Sequence, residues 1–157
     1  MENITMIEKD AIRAKMAKVF LTIGNQRYRF INATDVELKF AKNKKEVPVM
    51  GKTGTGSIPT SWKGTGSAKF YGNISHFKEL ALKFKDTGET VFFDLQITNE
   101  DPNSQAGRQT ITAKDCDLDD TILAKAAAND DLIEEDVNFT FNDFDMPEKF
   151  KTLMGMQ

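Results

Sequence analysis

The strongest constraint on this chain is a period of two that returns in segment after segment. Apolar residues alternate with polar or charged ones at Val36, Leu38 and Phe40, at Val91, Phe93, Leu95 and Ile97, and at Val137, Phe139 and Phe141. Successive side chains of a strand point to opposite faces, so this alternation specifies strands with one buried and one wet face. A chain built this way has to stack or curl a sheet to bury its apolar faces.

Other segments fill in the order. Residues 1–15 read as a polar N-terminal arm, with a short helical stretch over Lys9–Lys15, and 16–157 as one β domain. Gly24-Asn25 is a strong turn signal between two alternating runs, which predicts a hairpin over 18–31. After the strand at 35–40, Lys42, Lys44 and Lys45 mark a turn. Glu46–Met50 follows, with Pro48 suited to an edge or bulge because it lacks an amide hydrogen. Residues 51–63 are rich in Gly, Thr and Ser and hold the only Trp. They predict a long loop, a kind of segment that usually carries function. Strand alternation resumes at 66–71.

One helix is expected. Ile74, Phe77, Leu80, Ala81 and Phe84 recur at spacings of three and four, Asn73 or Ser75 can cap the start, and Gly88 closes the end. Strands are expected again at 91–97, 108–115, 117–126 and 133–142, with a polar loop at 99–107. From Met146-Pro147 the chain is a short helix or an extended tail. The sum is a mainly β, single-domain β-sandwich or open barrel with one flanking α-helix.

Composition narrows the function. The 157 residues carry a formal net charge of −3, whereas stable nucleic-acid binding draws on a basic face that releases counterions from phosphate. Lys and Arg are instead scattered among Asp and Glu, apart from the small cluster at 42–45. Cys116 is the only cysteine, so no internal disulfide forms and a reducing compartment of synthesis is expected. No segment has the apolar length of a membrane span, and no membrane binding is expected.

Each apparent catalytic or ligand-binding motif fails on its own chemistry. Gly51-Lys52-Thr53 invites a phosphate-loop reading, but the glycine required five residues earlier is Glu46, which would repel phosphate. Asp115, Asp117, Asp119 and Asp120 resemble a calcium loop, yet Asp120 replaces its turn glycine and Ala126 its bidentate Glu. His76, the only histidine, has no second His or Cys beside it with which to bind zinc. Cys116 lies between two aspartates, which disfavour a thiolate nucleophile. No catalytic residue, metal site or cofactor is expected.

Two longer runs carry a resemblance. Asn43–Gly51 with Trp62-Lys63-Gly64-Thr65-Gly66-Ser67, and Glu134–Phe141 with Phe144–Phe150, resemble the tail tube (core) proteins of contractile phages, defective prophages and contractile phage-tail-like bacteriocins. With the element order between them, the likeness covers nearly all of the chain after residue 15. It implies a β-sandwich or barrel whose copies close hexameric rings, which stack into a tube inside a contractile sheath. Partners on this reading are further copies of the chain, the tail sheath, a baseplate or initiator protein and a tape-measure protein, with DNA only in transit. The location is a virion tail or tail-like particle, its subunits made in the bacterial host cytoplasm.

The resemblance also implies roles for particular residues. A long loop that reaches an adjacent subunit or ring corresponds to Val49, Met50, Gly51, Lys52, Thr53, Gly54, Thr55 and Gly56, with Trp62 and Lys63 at its end. Candidate bore-facing residues are Asp35, Glu37, Lys39, Thr110, Thr112 and Asp117. Two other readings fit the strand pattern: the tube protein of a related contractile secretion system, and a monomeric β-sandwich binding module. The first shares the architecture and would be told apart by neighbouring genes. The second would normally display clustered surface aromatics.

Overall fold

The computed structural model describes residues 11–13, 16–30, 32–128 and 132–152. The helical stretch expected over Lys9–Lys15 and most of the arm at 1–15 lie outside the described residues. Arg13, within that arm, donates from its side chain to Asp101 at 2.8 and 3.0 Å, and from its backbone amide at 3.1 Å.

Eight strands and one helix follow in the order β1 (Lys18–Ile23), β2 (Gln26–Arg29), β3 (Ala33–Val47), β4 (Gly56–Tyr71), α1 (His76–Thr87), β5 (Phe93–Glu100), β6 (Arg108–Thr121), β7 (Glu134–Phe141) and β8 (Asp143–Glu148). All pairings are antiparallel. The sheet order is β2-β1-β5-β6-β7-β4-β3, with β8 also on β6. β1 and β2 form the hairpin the turn signal predicts, with Gly24 at φ +61, a conformation glycine adopts without a Cβ penalty.

β6 makes two layers out of one sheet. Its first half pairs with β5 and β8, and its second half with β7. Between them Asp115 adopts a left-handed φ of 53°, which Asp tolerates better than most residues. Inward positions accordingly jump from Ala113 to Cys116, a spacing of three, and the strand turns from one layer into the other. Leu21, Leu95, Phe93 and Ala113 of the first layer then face Ala68, Phe70, Val137 and Phe139 of the second, all buried. The mainly β sandwich or open barrel is the observed fold.

The helix closes one side. Phe77 inserts between Phe30, Phe70 and Phe93, with ring centroids 5.6–5.9 Å apart, in the offset and edge-on arrangements aromatic rings prefer. Gly88 ends the helix in the left-handed conformation, its amide donating to the Phe84 carbonyl at 2.8 Å. Lys78 donates to the buried Glu135 on β7 at 2.9 Å, which ties the helix to the second layer.

Four expectations are corrected. Lys42, Lys44 and Lys45 are not in a turn: β3 runs through them to Val47. Residues 56–63 are not loop: they are the first half of the 16-residue strand β4, paired with β3 from Val47↔Gly56 onward. From Met146-Pro147 the helix alternative is overturned: the chain is extended through Glu148, as the end of strand β8. Pro147 sits there on an outer strand that, among the described residues, pairs only with β6, where a missing amide is tolerated. The strands expected separately at 108–115 and 117–126 are one strand, β6, bent where the reading had its gap and ending at Thr121, so that 122–126 lie outside it.

Candidate functional site

The β3–β4 hairpin is much longer than the body beneath it. Its proximal half belongs to the core: Val36, Leu38 and Phe40 lie on one face opposite Ala68, Gly66 and Gly64. The two glycines serve packing. A Cβ on Gly64 would stand 2.2 Å from the Phe141 ring, and one on Gly66 would stand 2.4 Å from the Phe139 ring. The Phe141 and Phe139 rings of β7 therefore occupy space over β4 that only glycine leaves.

Beyond Phe40 and Gly64 the hairpin leaves the body as an arm. From Phe40↔Gly64 to Val47↔Gly56 the ladder runs seven residues, about 23 Å at strand rise. Val47 apart, the residues of both arm strands are exposed. At its tip Lys52 donates to the Val49 carbonyl at 3.3 Å, Gly51 takes φ +85, and Met50 is 100% exposed. Val49–Thr55, expected as part of a contact loop, thus form the tip. Gly56 opens β4, and Trp62 and Lys63 stand at the root.

The root is stiffened by an aromatic cluster. Trp62 stacks on Phe40 at 5.4 Å and meets Phe144 edge-on at 5.6 Å, with Phe141 at 6.3 Å. Trp62 remains 38% exposed, so the indole belongs partly to its own body and partly to solvent.

The second feature is the opposite face of the same strands. Glu37 pairs with Ser67, Ser67 with Asn138, Lys39 with Thr65, Thr65 with Thr140, and Thr140 with Asp117. Asp35 and Lys69 extend the row, and Asn138 donates to Asp120 at 2.7 Å. Four of the six candidate bore residues, Asp35, Glu37, Lys39 and Asp117, thus share one hydrophilic sheet face. Thr110 and Thr112 do not share it. They lie beyond the bend, on the half of β6 that pairs with β5 and β8. Thr110 is only 5% exposed, its hydroxyl 3.1 Å from that of Thr98 and donating to Glu148 at 3.3 Å. Thr65, Ser67, Asn138 and Thr140 had not been singled out as face residues. The signal for them was the Gly-Thr-Gly-Ser alternation at 64–67, once set beside the alternation of 134–141.

Third, β3 is the last strand of the sheet on its side and β2 on the other. Among the described residues nothing pairs with the outer edge of β3 along its 15 residues.

Asp119 is held above the usual carboxylate range by burial, then by Asp117 and Asp120, with Lys63 opposing. Burial, reinforced by Asp94, pushes the Cys116 thiol up to about 12, so it is a protonated core group at neutral pH.

These features agree with comparisons across known proteins. The sequence model of the family described as "Phage tail tube protein" matches residues 4–148. The Phage-like element PBSX protein XkdM of Bacillus subtilis (strain 168) is 38% identical over 113 residues, 72% of this chain and 77% of that protein. In architecture the chain is similar to a subunit in the sheath/tube terminator of an extracellular contractile injection system, PVC, in its extended state. That match has a TM-score of 0.66 at 10% identity, over 90% of this chain and 100% of the other. The SPP1 tail tube protein matches with a TM-score of 0.62 at 9% identity, over 90% and 80% of the two chains. These structural likenesses speak to the fold, and the sequence matches speak to descent: the chain belongs to the phage tail tube protein family.

Proposed function

We propose that this chain is the structural subunit of an inner tail tube, assembling into stacked hexameric rings that form the conduit within a contractile sheath, with no catalytic task. The observation that carries this reading is the β3–β4 arm. A two-stranded ribbon projecting from its domain gains little stability alone in water, and natural proteins normally shorten, bulge or cover an open strand edge. Here the arm and the outer edge of β3 lie in the same strand, so a neighbouring copy can complete both. Closure of a ring removes free edges altogether.

The hydrophilic face supplies the conduit. Asp35, Glu37, Lys39 and Asp117, with Thr65, Ser67, Asn138 and Thr140, present short hydroxyl and amide groups and charges of both signs. Such a lining is wet and holds no basic cluster that would retain a passing polyanion. The further partners are the sheath, a baseplate or initiator protein and a tape-measure protein, in a particle assembled from subunits made in the host cytoplasm.

The test is electron microscopy of the purified chain at high concentration, alone and with its sheath and baseplate proteins. Rings or tubes are expected. Replacing residues 44–60 by Asn-Gly, which closes the hairpin directly at the Asn43↔Ser61 pair, should leave circular dichroism intact and abolish stacked tubes. A parent chain that stays monomeric with those partners, or an armless variant that stacks as well as the parent, refutes the reading.

A further inference from the structure

Between α1, Thr90-Val91 and the second half of β6 runs a groove of about 380 Å³, its apolar lining including Leu80, Phe84, Leu118 and Leu123. Phe84 and Leu123 are 56% and 65% exposed, an uncovered apolar surface of the kind that marks interaction sites. Asp117, Asp119 and Asp120 also line it.

We propose that this groove receives the arm tip of a second copy of the chain, Val49 and Met50 entering the apolar floor while the arm's lysines face Asp119 and Asp120. The inference deepens, and rests on, the tube reading above. Three observations select this occupant. The arm carries Lys42, Lys44, Lys45 and Lys52 against a single carboxylate, Glu46, and so complements an acidic rim in sign. Its apolar side chains Val49 and Met50 sit at the tip, exposed, and so complement the floor. The third is direction. The arm leaves the sheet from the row Phe40–Gly64–Phe141, whereas the groove begins one row below it, at Asp117 opposite Thr140, and runs on past Thr121 and Leu123 away from the arm. The tip therefore points away from its own groove. Tip and groove face opposite ways along the strands and make a head-to-tail contact, which repeats without limit and builds a stack rather than a closed pair. An incoming lysine would also offset the charge that Asp117 and Asp120 bring to bear on Asp119.

Disulfide trapping tests it. Met50→Cys and Leu123→Cys are combined in the full chain, and assembled tubes are treated with a mild oxidant. Cys116 is buried and stays silent. The double variant should give a ladder of covalent multiples on a denaturing gel, and each single variant only monomer. Normal tubes without a ladder overturn the docking and leave the tube reading standing. A ladder from Met50→Cys with Ala17→Cys instead, in the separate cleft between β1 and β3, also overturns it. If the cysteines block assembly, charge reversal decides: Lys44→Glu with Lys45→Glu should lose tubes, and Asp119→Lys with Asp120→Lys should restore them in that background. No restoration overturns the docking. Failure of the unmodified chain to form tubes overturns both readings.

Discussion

Gly66→Ala is a sharp test of how the second layer is packed. Gly66 lies within β4 and its φ is not in the left-handed region, so alanine meets no backbone strain. By chain entropy alone the change would stabilise the fold by about 0.4–1 kcal/mol. The side chain decides otherwise. The new Cβ would stand 2.4 Å from Cε2 and Cζ of Phe139 and 3.0 Å from Leu38 Cδ2. Phe139 cannot swing clear, because it is 1% exposed and packed edge-on against Phe93 at 5.5 Å. Overpacking of this kind costs about 1–3 kcal/mol, and loss of the aromatic contact adds about 1 kcal/mol. The net is a destabilisation of about 1–3.5 kcal/mol, which for a chain of this length lowers Tm by roughly 2–14 °C.

Urea denaturation of the free subunit reads this directly, as a lower midpoint at unchanged slope. Gly54→Ala is the control: at the tip, with nothing within 4 Å of the added Cβ, it should move the midpoint little. Adding Phe139→Leu to Gly66→Ala should cost less than Phe139→Leu costs in the parent, with a coupling of about 1 kcal/mol or more. A Gly66→Ala chain as stable as the parent would show that glycine is there for some purpose other than admitting the ring.

Two further outcomes follow from the buried charged and thiol groups. Hydrogen bonds from Arg13, then from the Asn103 amide, hold the Asp101 carboxyl far below the usual range. Its contribution is therefore complete above the unfolded carboxylate pKa of about 4 and is lost as pH falls below it. Asp101→Asn should lower the denaturation midpoint at pH 7, and its gap from the parent should narrow steadily toward pH 2.5; a gap of constant size refutes the ion-pair account. Cys116, buried and with its thiol pushed up to about 12, should resist alkylation at pH 8 in the folded subunit and react at once in urea. Fast labelling without denaturant would place it elsewhere than the core.

Where local signals were sufficient, the fold was legible from residues alone. The turn at Gly24-Asn25 and the helix ending at Gly88 depend on neighbours a few positions apart, and both stand where the residues put them. The arm was misread because its strand character comes from partners far along the chain. Lys42–Glu46 has no alternation of apolar and polar residues, since both faces of the ribbon are wet, and only the pairing with Ser57–Trp62 makes it a strand. Glycine misled in the same way: Gly51, Gly54 and Gly56 all read as loop, yet Gly56 opens β4 opposite Val47. β8 was missed because Met146-Pro147 is extended through its contact with β6, not through any preference of its own. For the site, alternation placed Asp35, Glu37, Lys39 and Asp117 on a common face. It could not show that Thr98 and Glu148 would occupy the Thr110 hydroxyl.

The same long hairpin has to satisfy opposite requirements along its length, and the residues divide accordingly. Up to Phe40 and Gly64 it contributes apolar surface to a close-packed interior, where a single added methyl is felt. Past Trp62 it gives up burial entirely, and a bare ribbon of that length cannot hold itself together by cross-strand pairs worth a fraction of a kcal/mol each. The aromatic cluster at the root fixes the direction in which it leaves. Lysines on the arm strands oppose edge pairing with like-charged ribbons, which works against arm-to-arm aggregation before assembly. On the docking proposed above, a destination of opposite charge would remove that obstacle. The arm's sequence would then discriminate between partners by repulsion as well as attraction, and contact with the acceptor would add the stability that the ribbon lacks alone.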